Sequence, residues 1–303
     1  MVFDNALENK SQERTAGFAR SLARKVTPLK LKVAMWQGIR SVKLKASSLV
    51  GKYRCPVCKN GVTRFDQLPR DANAYGFKYS PEEAETCNAA NYSCPICGAA
   101  DRERLYALYL QEYFRTIAQN YSVGDPIRII DFAPTSTLSK FIKELIGEST
   151  AMFCYRTADL YLEGVDDRVD IMEMPIYQDD SVDFFVCSHI LEHVADDQKA
   201  LRELNRILKP GGRGILVVPI VLTAKEIDED PSVTDVGERW RRFGQDDHVR
   251  LYSKEGFLER AWQAGFTINP LGSEHFGLET FRKHGISDLS VLYIAEKPQS
   301  PPG

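Results

Sequence analysis

Four cysteines form two C-x-x-C pairs, Cys55 with Cys58 and Cys94 with Cys97, separated by 35 residues. Each pair can direct two thiolates at one ion, and four soft sulfur ligands suit a tetrahedral structural Zn²⁺ site. A redox dithiol is the competing interpretation, but redox chemistry would not need two copies of the motif. We therefore predict a zinc site at these four cysteines. Cys87 lies between the pairs and could replace one ligand or simply be buried.

Two carboxylates that follow apolar runs are suited to holding an adenosine. Asp159 stands near the end of the run AMFCYRTADL, where a carboxylate can accept hydrogen bonds from both ribose hydroxyls. Asp170 follows in the next segment, where it could take the adenine amino group while Ile171 covers the ring. Acidic residues at consecutive strand ends make this prediction stronger than either residue alone.

The turn after the run PIRIID contains no glycine and reads DFAPTST over residues 131–137. A dinucleotide or phosphate-loop site needs glycines there, because the backbone must approach the phosphates closely. Ala133 and the Thr/Ser run supply small residues only in part. The turn therefore argues against NAD and phosphate-loop nucleotides, and it is compatible with a cofactor that carries no phosphate.

Histidines are the first candidates for moving a proton. His189 follows the apolar run SVDFFVCS, so it is expected near a strand end. With Glu192 and His193 it has the spacing of residues that share the start of a helix. We expect His193 to be structural, by capping or packing, while His189 could be catalytic or structural.

A second candidate base is the pair Asp247–His248, which lies in a loop dense in polar and aromatic residues. An aspartate beside a histidine could orient it as a general base, and Arg250 could hold an anionic group of the substrate. The alternative interpretation is a solvated, charge-paired loop. The sequence favours the catalytic interpretation slightly.

Alternating strands and helices from about residue 124 are expected to position these residues. This pattern predicts an α/β fold with a Rossmann-like, doubly wound, mostly parallel sheet. Predicted strands cover 126–132, 151–160, 181–190 and 212–220, and predicted helices cover 137–146 and 198–212. Four domains follow from the pattern: a basic amphipathic helical segment (1–50), a zinc-ribbon-like module (51–100), a connecting helix (101–123) and the α/β domain (124–298).

Across residues 126–268 the sequence resembles class I S-adenosylmethionine-dependent methyltransferases of the group called type 11. The matching segments are RIIDFAP, TADL, the long block DIMEMPIYQDDSVDFFVCSHILEHVADDQKALRELNRILKPGGRGILVVP, and AWQAGF. The resemblance implies S-adenosylmethionine as the cofactor. It places Asp131, Phe132, Ala133 and Thr135 near the methionine part, Asp159 at the ribose, Asp170 and Ile171 at the adenine, and Ser188 and His189 on the sulfonium side. The missing Gly-x-Gly is a departure from the family pattern.

The net charge of −3 conceals a segregation of charge. Residues 1–54 carry twelve Lys or Arg against three Asp or Glu, which leaves −12 on the remainder. The basic segment could contact a membrane surface or RNA, or it could pack on the catalytic domain. With no secretory signal and no apolar run of membrane-spanning length, we expect a cytoplasmic protein, able to lie peripherally at a membrane.

Three hypotheses for function remain open at this point. The first is O-methylation of a small molecule or glycan, including a lipid-linked saccharide. The second is RNA methylation, with the zinc module and basic arm binding the phosphate backbone. The acidic α/β domain weighs against RNA, as does the lack of an Asn/Asp-Pro-Pro-Tyr type motif. The third hypothesis is a non-catalytic interaction protein with a degraded cofactor site.

Overall fold

The computed structural model describes residues 51–68, 76–120, 124–149 and 151–299. The basic helical segment predicted over residues 1–50 lies outside the described residues. In chain order the strands are β1 (Tyr53–Arg54), β2 (Gly61–Val62), β3 (Ile127–Phe132), β4 (Phe153–Asp159), β5 (Asp167–Arg168), β6 (Val182–Ser188), β7 (Leu208–Val217), β8 (Asp228–Glu229), β9 (Arg250–Leu251), β10 (Thr267–Leu271) and β11 (Leu292–Glu296). The helices are α1 (Asp101–Asn120), α2 (Ser136–Gly147), α3 (Asp197–Ile207), α4 (Val236–Phe243), α5 (Lys254–Gln263), α6 (Ser273–Phe276) and α7 (Leu278–His284).

A seven-stranded sheet forms the centre of the fold, in the spatial order β10-β11-β7-β6-β3-β4-β5. The strands from β7 to β5 pair in parallel, whereas β11 is antiparallel to both of its neighbours. Counted along the chain, this is the order 3-2-1-4-5-7-6, which contains the doubly wound 3-2-1-4-5 arrangement. The prediction of a doubly wound, mostly parallel sheet is confirmed. The strand order reverses between β3 and β6, so ligands are expected at the carboxyl ends of these strands.

Helix α3 ends earlier than the sequence pattern predicted. We expected the helix to continue through the segment LKPGG, but it ends at Ile207 and Leu208 already pairs with Val182 of β6. The physical reason is Pro210, because a proline disfavours helical geometry in the residue before it and has no N–H to donate. The segment therefore begins strand β7.

Alternating side chains divide the buried residues between the two faces of the sheet. On one face, Ile129 and Phe184 pack with α1 and with the segment that carries the cysteine pairs. On the other face, Ile130 and Phe185 pack with residues of α3 and α5. The cysteine segment therefore shares its hydrophobic core with one face of the sheet.

Arg104 of α1 joins the cysteine segment to the end of α7, although its side chain is fully buried. Its guanidinium donates hydrogen bonds to main-chain carbonyl oxygens and lies 3.8 Å from the centre of the Phe65 ring. The carbonyls belong to Asn91, Tyr92, Ala99, His284 and Gly285. Five such acceptors replace the water that a buried cation loses.

In the described part of the chain, no helix has the length and apolar character needed to cross a membrane.

Candidate active site and metal centres

The four predicted zinc ligands come together in the structure. The Sγ atoms of Cys55 and Cys97 lie 3.8 Å apart, and those of Cys58 and Cys94 lie 3.9 Å apart. A tetrahedral ion with Zn–S bonds of about 2.3 Å places its sulfurs about 3.8 Å from one another. All four sulfurs lie within 4.8 Å of each other. The geometry therefore fits one tetrahedral thiolate site.

Each cysteine pair is shaped by the turn that follows it. The main-chain N–H of Cys55 donates to Asn60 O at 2.9 Å, and that of Cys94 donates to Ala99 O at 2.9 Å. Both turns need a residue with positive φ, which is Gly98 (81°) in the second pair and Lys59 (61°) in the first. A lysine in this conformation is strained relative to glycine, so the first turn is held by its surroundings.

The sulfurs also perturb one another's acidity. Hydrogen bonds within the cluster raise the pKa of Cys55 and Cys97 and lower the pKa of Cys58 and Cys94. Cys87 lies outside the cluster of four, and burial raises its pKa to about 12. Cys87 therefore carries an unreactive thiol and is not needed to complete the site.

Asp159 is the last residue of β4, and Asp170 comes just after the neighbouring strand β5, at the carboxyl edge of the sheet. Asp159 Oδ1 accepts hydrogen bonds from the main-chain N–H groups of Tyr161 (2.7 Å) and Leu162 (2.6 Å). Asp170 Oδ1 accepts from Met172 N at 2.8 Å. Among the described residues, the hydrogen bonds of both carboxylates involve Oδ1, which leaves Oδ2 of each for a ligand. Both side chains are half-buried, and Ile171 beside them is buried.

The turn that replaces the glycine-rich loop uses an unusual conformation. Ala133 has φ of 48°, a region that favours glycine, and its N–H donates to Ala158 O at 2.9 Å. Thr135 caps α2 by accepting a hydrogen bond from Leu138 N at 3.2 Å, and its hydroxyl donates to Glu103 of α1. The turn therefore starts a helix as a nucleotide-binding turn does, although it contains no glycine.

Asp131 and Phe132 are less available to a cofactor than the sequence suggested. Phe132 is 4% exposed and packs in the apolar core, so only its main chain can reach a ligand. Asp131 is 2% exposed, and its Oδ2 accepts hydrogen bonds from Tyr155 Oη (2.6 Å) and Ser139 Oγ (3.1 Å). Burial raises the pKa of Asp131 to about 6, although these two hydroxyls oppose the rise. This carboxyl is placed to join β3 to α2 and β4.

Helix α1 lies against the carboxyl ends of β3 and β6. The hydroxyls of Tyr106 and Ser188 are 2.8 Å apart, and the carboxylate of Glu103 receives the Thr135 hydroxyl. Both α1 residues are buried. The sequence assigned this helix only a connecting role. Glu103 and Tyr106, two residues with polar groups three positions apart and so on one face of the helix, were the available signal.

His189 stands at the end of β6 with φ of 55°, a strained value for a non-glycine residue. Its Nδ1 lies 3.3 Å from Glu192 Oε1, and its Nε2 is buried without a hydrogen-bond partner among the described residues. Burial, followed by the charge of Arg102, lowers the pKa of His189. The lowered pKa favours the neutral imidazole, the state that can accept a proton.

The predicted Asp247–His248 pair is not formed. Asp247 Oδ1 lies 3.4 Å from Nδ1 of His193, whereas His248 Nδ1 faces Phe243 O at 3.1 Å. The two side chains therefore contact different parts of the structure, although they are adjacent in the sequence. Burial lowers the pKa of His248. The histidine that Asp247 orients is thus His193, which we expected to be structural.

Arg250 does not serve as an anion-binding residue in this structure. Its side chain is fully buried and donates to Glu229 and to main-chain carbonyls of residues 191, 194 and 195. These bonds fasten β9 to the turn that follows β6. Glu192 is a residue that the sequence did not select, and it lies fully buried among three histidines.

Comparison with known proteins agrees with the resemblance seen in the sequence. Residues 157–216 match a family model described as "Methyltransferase domain". Over 138 residues the chain is 30% identical to the uncharacterized methyltransferase YcgJ of Bacillus subtilis (strain 168). This alignment covers 44% of the chain and 50% of YcgJ, so the chain spans about half the length of this relative. This part of the chain is therefore similar to methyltransferase domains.

Two solved structures are similar to part of this chain. The CMeT domain of the citrinin polyketide synthase is 15% identical, with a TM-score of 0.43 over 65% of this chain and 54% of that one. The YcgJ protein of Bacillus subtilis is 14% identical, with a TM-score of 0.30 over 63% of this chain and 99% of that one.

Proposed function

We propose that this chain transfers the methyl group of S-adenosylmethionine to an oxygen of a small molecule or glycan, including a lipid-linked saccharide. The observation that carries the proposal is the pair of carboxylates at neighbouring strand ends, Asp159 and Asp170. Both lie inside the segment that matches the methyltransferase model. In each of these two carboxylates, main-chain N–H donation fixes Oδ1. Oδ2 is therefore pre-oriented for a hydroxyl or amino group of an adenosine.

The site offers what methyl transfer to oxygen requires. The reaction is an in-line displacement at the sulfonium carbon, so the protein must align donor and acceptor and remove one proton from a hydroxyl. His189 follows directly after β6, and burial lowers its pKa, which favours the neutral imidazole that can take this proton.

The cysteine cluster is proposed to hold a structural Zn²⁺ ion. All four corners are occupied by protein sulfurs, so no position is left for a substrate. The ion would hold together a segment that packs on α1, and α1 in turn contacts the carboxyl ends of β3 and β6. We propose a cytoplasmic enzyme in which the zinc segment supports the wall of the active site.

The test is a tritiated methyl-transfer assay on cell extract divided into RNA, lipid, carbohydrate, small-molecule and protein pools. Label in the carbohydrate, lipid or small-molecule fraction, lost in the Asp159→Asn variant, supports the proposal. Label found only in the RNA pool would mean that the acceptor is RNA and not a small molecule or glycan, and it would still support the proposal of a methyltransferase. No label in any pool, together with no binding of S-adenosylmethionine, would favour a non-catalytic interaction protein.

RNA methylation is a second candidate, and one observation favours it. Two pockets beside the cysteine segment are lined by basic residues, which attract a phosphate backbone. These residues are Lys52, Arg54, Lys59, Arg282 and Lys283. RNA binding that weakens steeply with salt, and weakens further in a Lys59→Ala and Lys283→Ala double variant, would support this candidate.

A further inference from the structure

We propose that Glu192, His193 and His248 form a second metal site, which takes a single divalent transition-metal ion such as Zn²⁺. Each residue offers one ligand atom, and the three atoms lie within 4.8 Å of one another. Two imidazole nitrogens and one carboxylate oxygen make a donor set that Zn²⁺ accepts readily. This site is separate from the four cysteines, and it does not depend on the proposed methyl transfer.

The distances require a small closure around the ion. Glu192 Oε1 lies 3.9 Å from His193 Nε2. Ligands bound at about 2.0–2.1 Å in a tetrahedron lie about 3.4 Å apart, so the side chains need to move inward by roughly 1 Å. Rotation of the imidazole rings and of the glutamate side chain can provide this movement without any change in the main chain.

Both imidazoles are held in the tautomer that a metal ligand needs. His248 Nδ1 lies 3.1 Å from Phe243 O, which can only accept, so Nδ1 carries the proton and Nε2 keeps its lone pair. His193 Nδ1 lies 3.4 Å from Asp247 Oδ1, which directs its Nε2 towards Glu192. A histidine that donates one N–H to an oxygen and offers the other nitrogen inward is the usual arrangement of a metal-binding histidine.

The glutamate provides an independent reason to expect a cation. The side chain of Glu192 is 0% exposed, and neither carboxylate oxygen has a well-formed hydrogen bond within the described part of the chain. His189 Nδ1 lies 3.3 Å from Oε1. Burying a carboxylate that lacks partners costs several kcal/mol, and a bound cation removes this cost.

The main chain around the cluster is fixed before any ion binds. Val249 N donates to Glu192 O at 2.9 Å, which ties together the two segments that carry the ligands. Arg250 reinforces this link by donating to Val194 O at 2.6 Å and to Ala195 O at 3.1 Å. His193 is 31% exposed, so an ion can enter from its side. Three protein ligands leave a fourth position for water or another oxygen ligand.

The direct test counts metal ions in the full-length protein purified with Zn²⁺, by mass spectrometry of the metal and by anomalous scattering from crystals. Wild-type protein is expected to hold two ions per chain, one at the cysteines and one between Glu192 and the two histidines. Glu192→Gln keeps the shape of the side chain and is expected to hold one. His275→Asn, a histidine outside the cluster, is the matched control and should keep both.

Two results would overturn the proposal. One is a single ion per wild-type chain, with anomalous signal at the cysteines alone. The other is an unchanged ion count in a folded Glu192→Gln protein. A single ion per wild-type chain would mean that the negative charge of Glu192 is balanced by a protonated imidazole and not by a metal ion. If the Glu192→Gln variant does not fold, the anomalous map of the wild-type crystal still shows whether an ion lies between Glu192 and the two histidines. Binding of S-adenosylmethionine is measured separately, so failure of this site and failure of the methyltransferase proposal are distinguishable.

Discussion

The buried carboxyl of Asp131 should make the stability of the protein depend on pH in a specific direction. Its pKa is raised to about 6, against about 3.9 for an aspartate in an unfolded chain. The folded state therefore binds the proton more tightly. Its stabilising effect is fully present below about pH 4 and is lost as the pH rises through 6.

A rise of about two pKa units corresponds to about 3 kcal/mol. About 1.4 kcal/mol of this falls between pH 5 and pH 8. The variant Asp131→Asn cannot ionise at this position. Its free energy of unfolding should therefore rise relative to wild type by about 1.4 kcal/mol across that range. Any constant effect of the amide on the hydrogen bonds with Tyr155 and Ser139 cancels in the difference between the two pH values.

The assay is urea unfolding followed by tryptophan fluorescence and circular dichroism at several pH values, with agreement between the probes as the check for a two-state transition. Asp125→Asn, which removes an exposed carboxyl, is the control, and its stability should run parallel to wild type. A difference between Asp131→Asn and wild type that stays constant from pH 5 to pH 8 would refute the reasoning. It would mean that the carboxyl of Asp131 is solvated.

Three further predictions test other parts of the structure. Asp159→Asn should weaken binding of S-adenosylmethionine about 10- to 100-fold in calorimetry, because it removes the charge from a hydrogen bond to the ligand. The control Glu163→Gln, at an exposed residue in the same loop, should bind S-adenosylmethionine normally. Cys94→Ser should lose one Zn²⁺ ion per chain and unfold at a lower temperature, and retention of that ion would contradict the thiolate site. Gly214→Ala should lower the free energy of unfolding by about 1–3 kcal/mol, because the added Cβ would lie 2.4 Å from the ring of Phe185. An unchanged melting temperature would show that β6 and β7 are packed loosely.

The order of strands and helices was predictable because buried parallel strands are continuous apolar runs, as in VDFFVCS of β6. The zinc ligands were predictable because two C-x-x-C pairs have few other uses. The end of α3 does not follow from apolar periodicity, because Pro210 ends the helix within a run that is still apolar.

The arrangement of the histidines could not be read from the sequence. His193 and His248 are 55 positions apart, and they meet because β9 is fastened to the turn after β6 by Arg250. That contact depends on tertiary packing. Adjacency in the sequence suggested that Asp247 would pair with His248, although neighbouring side chains diverge. The role of α1 was missed for a related reason, because its contacts with Ser188 and Thr135 join distant segments.

The central claim is that the carboxyl edge of the sheet binds S-adenosylmethionine through Asp159 and Asp170. Isothermal titration of the full-length wild-type protein with S-adenosylmethionine tests it most directly. We predict saturable binding of one molecule per chain, which an Asp159→Asn and Asp170→Asn double variant loses. Absence of binding heat at several temperatures, or equal binding by the folded double variant, would contradict the claim.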